Sequence, residues 1–227
     1  MKIFAISDLH LSLGSEKPMD IFGSNWDRHW EKIEQDWQSR VGAEDLVLLP
    51  GDHSWGLKLE EALPDLQFIG GLPGRKILLK GNHDLWWQSR RKVEAVLPEG
   101  MTILQNDAAG FDGYSICGSR GWLNPGDEQF SSADEKIYNR ELIRLEMSLK
   151  QAPYPDRIIA MVHYPPVNRR GEGSGFSDLL EQYGVRCCLY GHIHGQGLAQ
   201  AFEGTLRGVR YQLVSADHLD FCLKRIV

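Results

Sequence analysis

Five short apolar runs, each leading into aspartate, asparagine or histidine with at most one glycine between, constrain the fold of this chain more than any other feature. The runs are KIFAIS (2–7), LVLLP (46–50), KILLK (76–80), RIIAMV (157–162) and VRCCLY (185–190). Apolar runs of this length predict buried strands. Helical patterns alternate with them through the first half of the chain, which predicts an α/β fold.

The segments between and after these runs carry helical patterns and further strand patterns. Helices are predicted at about 25–41, 57–69, Leu85–Leu97, 131–150 and 176–184, and strands at 102–105, 114–118, 208–215 and 220–226. The later strands follow one another closely, which indicates antiparallel pairing there. Trp26, Trp30 and Trp37 share one face of the first helix, which favours a helix that covers a sheet over a platform for stacking bases.

The composition limits the partners and the location that we expect. The chain has 227 residues, of which 42% are apolar, and no linker or repeat, so a single domain over residues 1–227 is expected. The net charge of −6 argues against a broad nucleic-acid surface. The N-terminal apolar run is too short for a signal peptide, and no stretch predicts a membrane span. The four cysteines lack CxxC spacing and are expected to be buried, reduced thiols of a cytoplasmic protein.

Polar residues of one chemical kind follow the five runs. They are Asp8 and His10, then Asp52, then Asn82, His83 and Asp84, then His163, and finally His192 and His194. In an open α/β sheet, functional sites form at the carboxyl ends of strands. One such motif alone is typical of a surface turn, whereas five of them, each after an apolar strand, favour a functional site.

The donor atoms of this set indicate a metal centre. Carboxylate and amide oxygens and imidazole nitrogens bind Zn, Mn, Fe and related divalent ions. No cysteine belongs to the set, which argues against a structural zinc site. The set holds more donors than one ion needs, so we expect two ions, about 3.5–4 Å apart and bridged by a carboxylate. Gly51, Gly81 and Gly191 precede the donors and are expected to let the backbone turn sharply.

The motifs resemble the signature of the calcineurin-like metallophosphoesterase superfamily, which is D-x-H, G-D, G-N-H-[DE], a lone histidine and G-H-x-H. All five blocks are present in that order from Asp8 to His194, and the chain resembles the small bacterial phosphohydrolases of the superfamily. The resemblance implies an α/β, four-layer sandwich of two packed mixed β-sheets flanked by helices. It also implies a dimetal centre at the strand ends.

The same resemblance implies a role for each residue of the signature. One ion is expected on Asp8, His10 and His194, and the other on Asn82, His163 and His192, with Asp52 bridging both. His83 would not be a ligand and would donate a hydrogen bond or a proton to the ester, while Asp84 would orient His83. His53 departs from the family pattern and is left out of the ligand set. It either supports the ligands from behind or points away from the site.

The expected activity is hydrolysis of phosphate mono- or diesters by in-line attack of a metal-bridging hydroxide. Two divalent ions, less the charges of Asp8, Asp52 and a hydroxide, leave about one positive charge, which attracts a phosphate. Manganese, iron or zinc are the candidate ions. The expected partner is a small phosphoester, without membrane or nucleic acid, and the oligomeric state stays open. The alternatives are a catalytically silent or scaffolding module on this fold, or a nuclease of the superfamily.

Arginines outside the signature allow two interpretations each. Arg120 is either a bidentate phosphate clamp or an ordinary surface arginine. Arg169 and Arg170 lie in a glycine-rich stretch after His163, which favours a solvated loop over a cover for the substrate.

Two aromatic residues and one polar cluster outside the signature need an interpretation as well. Trp122 and Tyr164 either line the substrate pocket or pack in the core. Asp217, His218 and Asp220 follow the completed signature and are interpreted as a turn rather than as a second metal cluster.

Overall fold

The computed structural model describes residues 1–17 and 19–227. The strands of the described residues are β1 (Ile3–Ala5), β2 (Leu46–Leu49), β3 (Arg75–Leu79), β4 (Met101–Leu104), β5 (Ala108–Phe111), β6 (Tyr114–Ser119), β7 (Ile158–Val162), β8 (Cys187–Tyr190), β9 (Gly204–Leu206), β10 (Val209–Leu213) and β11 (Lys224–Arg225). The α-helices are α1 (His29–Arg40), α2 (Leu59–Gly71), α3 (Arg90–Glu94), α4 (Ser132–Leu149) and α5 (Gly175–Gln182). The strands form two mixed sheets flanked by helices, which confirms the predicted α/β class.

Residues Met1–Ile103 and Val214–Val227 form one compact unit. Its sheet has the strand order β11-β1-β2-β3-β4. The strands β1, β2 and β3 are parallel neighbours, and β11 joins β1 in antiparallel orientation. Because parallel neighbours end on the same side of a sheet, the loops that follow β1, β2 and β3 start close together.

The tryptophan-bearing helix covers this first sheet, as its sequence pattern predicts. Ile33 and Trp37 of α1 have no exposed surface and belong to one apolar cluster with Phe4 of β1 and Val47 of β2. The indole of Trp37 also donates a hydrogen bond of 2.8 Å to the carbonyl oxygen of Pro73. Trp26 is buried and lies in the 3₁₀ turn Ser24–Trp26 before the helix, and Trp30 is half-buried, so these residues offer little exposed ring surface on which bases could stack.

Residues Leu104–Leu213 form the second compact unit. Its sheet has the order β5-β6-β7-β8-β10-β9, with parallel pairing from β6 to β10 and antiparallel edges at β5 and β9. Its core contains Leu145 of α4, Leu180 of α5 and Cys188 of β8, all fully buried. Of the later predicted strands, β11 pairs antiparallel with β1, whereas β10 pairs antiparallel with β9 on one side and parallel with β8 on the other, so the predicted antiparallel pairing is correct only in part.

Three further predictions need correction. The helix predicted over Leu85–Leu97 is only α3, because Trp86 and Trp87 are buried in the core and the preceding backbone turns to place them there. The edge strands β5 and β9 were missed, since neither contains a run of apolar residues. Cys222 is exposed, whereas the other three cysteines are buried and all four are free thiols.

The helices of the described ranges were also compared with the requirements of a bilayer. None of them combines the length and the apolar composition that a membrane crossing requires.

Candidate metal centre

The loops after β1 and β2 bring three predicted ligands of the first unit together. The backbone nitrogen of Asp8 donates to Gly51 O at 2.9 Å, and that of His10 donates to Asp52 O at 3.0 Å. The side chains follow: His10 Nε2 lies 3.9 Å from Asp52 Oδ2, and a carboxylate oxygen of Asp8 lies within 4.8 Å of one of Asp52. The three residues are at most 3% exposed. Two carboxylates and an imidazole thus meet in a space that excludes most water.

The backbone is strained at these same ligands. The φ angles are 58° at Asp8, 45° at His10 and 55° at Asp52, in the left-handed region that residues with a side chain seldom adopt. Each such residue costs on the order of 1 kcal/mol, and strain of this kind clusters at functional sites. The fold therefore holds these three side chains in orientations that an unstrained turn would not give.

Two hydroxyl groups orient the carboxylate of Asp8. Ser215 Oγ donates to Asp8 Oδ2 at 3.1 Å, and Ser7 Oγ donates to the same oxygen. Both serines are fully buried. Donors behind a ligating carboxylate fix its direction. Sequence reasoning missed both residues, and only Ser7, next to Asp8, carried a local signal.

The loop after β3 places its residues around Asp52. The backbone nitrogen of His83 donates to Asp52 Oδ1 at 2.7 Å. A Cβ atom at Gly81 would collide with the side chain and the backbone nitrogen of Asp52, so close approach requires this glycine. Of the three predicted turn glycines, Gly51 has a positive φ of 108°, whereas Gly81 is needed for contact rather than for a turn. Asn82 is half-buried and His83 is exposed.

Asp84 links the loops after β2 and β3. Its carboxylate accepts backbone hydrogen bonds from Gly81 at 2.8 Å, Asp52 at 2.9 Å and His53 at 2.8 Å, and another from Trp86 Nε1 at 3.0 Å. None of its contacts with described residues reaches the imidazole of His83. The structure therefore indicates that Asp84 holds the loops after β2 and β3 at a fixed spacing, whereas the sequence predicted that Asp84 orients His83.

His53 forms a buried ion pair with Asp84. Its Nδ1 donates to Asp84 Oδ2 at 3.0 Å and its Nε2 donates to Leu49 O at 3.2 Å, so both ring nitrogens carry protons. Burial alone would lower the pKa of His53, but the charge of Asp84 raises it above the ordinary value. Burial alone would raise the pKa of Asp84, but the charge of His53 and the hydrogen bonds hold it well below the usual range. With both nitrogens bound, His53 has no ligand atom to offer, which agrees with leaving it out of the ligand set.

Trp55 is a residue near the site that sequence reasoning missed. Its ring stacks on His10 with centroids 4.7 Å apart and 19° between planes, and it lies 4.7 Å from the ring of His83. Its indole nitrogen donates to Met19 Sδ at 2.9 Å. The ring therefore supports both a predicted ligand and the predicted proton donor. No sequence pattern pointed to it, because its partners lie 45 and 28 positions away.

The second unit brings together two of its three predicted ligands. His163 and His192 follow the parallel neighbours β7 and β8, and their ring centroids are 5.2 Å apart. His163 is fully buried, and His192 has a φ of 73°, again in the left-handed region. His194 is half-buried and precedes the 3₁₀ turn Gly195–Gln200.

Aromatic side chains surround these histidines. Tyr164 lies 4.1 Å from His192 between ring centroids, and Trp122 lies 5.1 Å from Tyr164. Tyr164 is buried, whereas Trp122 is partly exposed. Tyr164 therefore packs in the core beside His192, and Trp122 extends this aromatic group to the surface.

Arg120 is not an ordinary surface residue. Its guanidinium carbon lies 4.5 Å above the ring of Trp122, and its Nη2 lies 3.7 Å from the buried carboxylate of Glu141. Burial lowers the pKa of this guanidinium, which Glu141 partly offsets. Its role as a phosphate clamp stays a prediction.

The donors fit divalent ions of the expected kind. Buried carboxylates and imidazoles, held by hydrogen bonds and strained backbone, suit Mn, Fe or Zn. The other acidic cluster is a turn, as interpreted: His218 N donates to Asp217 Oδ1 at 3.0 Å, and Asp220 N donates to Asp217 O at 3.4 Å.

The sequence was then compared with known protein families. The model of the family described as calcineurin-like phosphoesterase matches residues 1–196. The chain belongs to the calcineurin-like phosphoesterase family. Membership confirms the predicted superfamily and shows that this is a phosphoesterase of a metal-binding kind.

Solved structures share the fold of this calcineurin-like phosphoesterase. The phosphopantetheinyl hydrolase PptH from Mycobacterium tuberculosis matches with a TM-score of 0.60 and 16% identity, over 100% of this chain and 95% of that one. A protein of unknown function, AQ665 from Aquifex aeolicus, matches with a TM-score of 0.52 and 16% identity, over 99% and 95% of the two chains. At such identities the likeness shows the fold alone. No curated protein gives a significant match.

Proposed function

We propose that this protein hydrolyses phosphoric esters with two divalent ions. The proposed ligands are those that the family signature assigns: Asp8, His10 and His194 for one ion, Asn82, His163 and His192 for the other, and Asp52 for both. The observation that carries the proposal is the set Asp8, His10 and Asp52, which is buried, strained and held at the ends of two parallel strands. The domain is proposed to be a single one over residues 1–227.

The residues of the first unit prepare the site for this task. When bound, the two ions would lower the pKa of water and offset negative charge on the phosphoryl group. Asp52 Oδ1 accepts a hydrogen bond from the backbone nitrogen of His83, and Asp52 Oδ2, which lies 3.9 Å from His10 Nε2, is the oxygen proposed to face an ion. Asp84 keeps the loops of Asp52 and Gly81 together through backbone hydrogen bonds. Such support preserves ligand geometry through the reaction.

His83 is proposed to assist the departure of the ester oxygen. Its backbone is fixed by Asp52, while its side chain is exposed and contacts the rings of His10 and Trp55. An exposed imidazole beside the ligands can reach a bound ester and donate a hydrogen bond or a proton. Its ring is 5.6 Å from that of His10 between centroids, which keeps it next to a ligand without being one.

A hydrolysis screen tests the proposal. The full chain, loaded in turn with Mn, Fe, Zn, Ni or Mg, is assayed with aryl phosphates, bis-aryl phosphates, cyclic nucleotides and phosphopantetheinyl esters, the last because PptH, which has a similar fold, is a phosphopantetheinyl hydrolase. We expect hydrolysis of at least one class and its loss on chelation. A protein that hydrolyses none of them with any ion would be the silent module, and degradation of single-stranded DNA with Mn would indicate the nuclease.

The variant His83→Ala separates chemistry from metal binding. We expect it to keep its metal content, measured by elemental analysis, and to lose about a hundredfold in kcat. A variant that loses its metals, or one with unchanged turnover, would contradict the proposed role of His83. The preference for monoesters or diesters follows from the same screen, and a cytoplasmic location stays a prediction.

A further inference from the structure

The second unit contains a pocket that neither the family signature nor the proposed mechanism uses. Its volume is about 580 Å³, which is within the range of small-molecule sites. One wall is formed by the loop after β6, from Asn124 to Glu128, and another by the loop after β7, from Pro165 to Arg170. Ile193 and Gln200 complete the lining.

The pocket adjoins the predicted ligands of this unit along the chain. Its second wall begins two residues after His163, and Ile193 stands between His192 and His194. The two segments that carry the histidines are therefore the segments that line the pocket. A phosphoryl group held near these histidines would direct its organic substituent towards this space.

Hydrogen bonds hold the two walls in place. Asn124 is 8% exposed, and its Nδ2 donates to Pro165 O at 2.9 Å, which ties one wall to the other. Its backbone nitrogen donates to Asp127 Oδ2 at 2.8 Å, so that carboxylate is already engaged. On the other wall, Asn168 Oδ1 accepts from the backbone nitrogen of Arg170 at 3.0 Å. The pocket is thus a built feature of the fold and not a gap between free loops.

The charges of the lining differ in how far they are neutralised. Arg170 pairs with Glu172 at 3.0 Å. Arg169 has neither a hydrogen bond nor an ion pair through its guanidinium with any described residue, and it is exposed at the pocket. Glu128 belongs to the loop after β6 in the same lining and is likewise exposed. A free guanidinium offers a planar fork of donors that matches a carboxylate or a phosphate.

We infer that this pocket binds the organic group of the phosphoester and selects esters whose organic group ends in an anion, a carboxylate or a second phosphate, held by Arg169. The inference rests on the proposed function, because it names the substrate class of that same site. Glu128 would disfavour an anion bound next to itself, since the two like charges would repel each other.

Three p-nitrophenyl phosphodiesters test the inference, with a pentyl, a carboxybutyl or an aminopentyl arm as the second substituent. The wild-type full chain, loaded with Mn, is expected to have the lowest KM for the carboxybutyl ester. Arg169→Ala is expected to raise that KM about tenfold and to leave the KM of the pentyl ester unchanged. Arg170→Ala is the matched control, because its side chain already pairs with Glu172, and it is expected to change KM less than about threefold.

A binding measurement separates failure of the inference from failure of the proposed function. A methylphosphonate with the carboxybutyl arm, which lacks a scissile ester to p-nitrophenol, is titrated into the same proteins by calorimetry. Absence of hydrolysis together with binding that Arg169→Ala weakens would support the anion site and reject the esterase. Hydrolysis with equal KM for the three esters, or a preference for the aminopentyl ester that Glu128→Ala removes, would overturn the inference and leave the esterase standing.

Discussion

The two units hold their predicted ligands differently. In the first unit, Asp8, His10 and Asp52 are at most 3% exposed and Asn82 is half-buried; the backbone is strained at the first three, as it is at His192 of the second unit. In the second unit His163 is buried, but His192 and His194 are half-buried and lie in the segments that line an open pocket. Rigid burial favours fixed ion positions, whereas partial exposure leaves room for a substrate. We therefore expect metal retention to depend mainly on residues of the first unit and substrate discrimination mainly on residues of the second.

The largest effect is expected at Asp52. Asp52→Asn removes a ligand charge and is expected to lower kcat/KM by about a thousandfold or more, whereas His194→Ala, in the more open unit, is expected to lower it about 10- to 100-fold. Steady-state kinetics and metal analysis of both variants measure this difference.

Asp217→Asn provides the control for Asp52→Asn. It changes a nearly buried carboxylate of the same unit that lies in a turn, and kcat/KM is expected to stay within about threefold of wild type. Equal losses of activity in Asp52→Asn and His194→Ala would remove the distinction between the two units.

The next effect concerns stability rather than catalysis. Asp84→Asn leaves the imidazolium of His53 without its counter-charge and turns an amide towards backbone N–H groups, so we expect the free energy of unfolding to fall by about 3 kcal/mol. Urea unfolding followed by circular dichroism measures it. In the second unit, Glu172→Gln removes an exposed ion pair with Arg170 and should cost less than about 0.5 kcal/mol. Similar costs for the two variants would show that burial does not distinguish these pairs.

A smaller effect is expected at Trp55. Trp55→Leu removes the ring that stacks on His10 and contacts His83, so kcat is expected to fall about tenfold with little change in KM. Trp55→Phe keeps an aromatic surface and should retain kcat within about threefold. The matched change in the second unit, Trp122→Leu, removes a ring beside Tyr164 and should act on KM instead. A change in KM alone for Trp55→Leu would place this ring with the substrate.

The comparison also shows which features could be predicted from sequence. The central strands were predicted correctly because each is a local apolar run, and the loops that carry the proposed ligands could be predicted because their polar residues follow those runs directly. The family motifs then supplied roles that the residues alone left open. Edge strands such as β9 were missed because pairing on one side requires no apolar run.

Other features depend on contacts between distant parts of the chain. The task of Asp84 follows from backbone groups of Asp52 and His53, more than 30 positions earlier, and no local pattern encodes that contact. The early turn before α3 is set by burial of Trp86 and Trp87, which overrides a sequence that is compatible with a longer helix. The pocket beside His192 arises from loops that only the folded second sheet brings together.

The smallest effect tests whether burial of a carboxylate in the first unit lowers the free energy of unfolding. Asp65 of α2 is 1% exposed; its Oδ1 accepts from Leu13 N at 2.8 Å and its other oxygen accepts from Ser54, but no cation lies against it among the described residues. Burial raises the pKa of Asp65 from 3.8 to about 6, against the effect of those hydrogen bonds. The folded state thus binds a proton more tightly than the unfolded state does, so this group disfavours folding as the pH rises from about 4 through about 6.

Asp65→Asn removes this titration. Relative to wild type, the variant is therefore expected to gain about 1 kcal/mol of unfolding free energy between about pH 5 and about pH 6, whatever its stability at the lower pH. Urea unfolding at both pH values measures the change, and Asp156→Asn, at an exposed position in the second unit, should show a difference near zero. A stability difference between Asp65→Asn and wild type that is independent of pH would show that burial in the first unit does not raise the pKa of Asp65. The contrast in burial between the two units would then have no effect on the ionisation of this carboxylate.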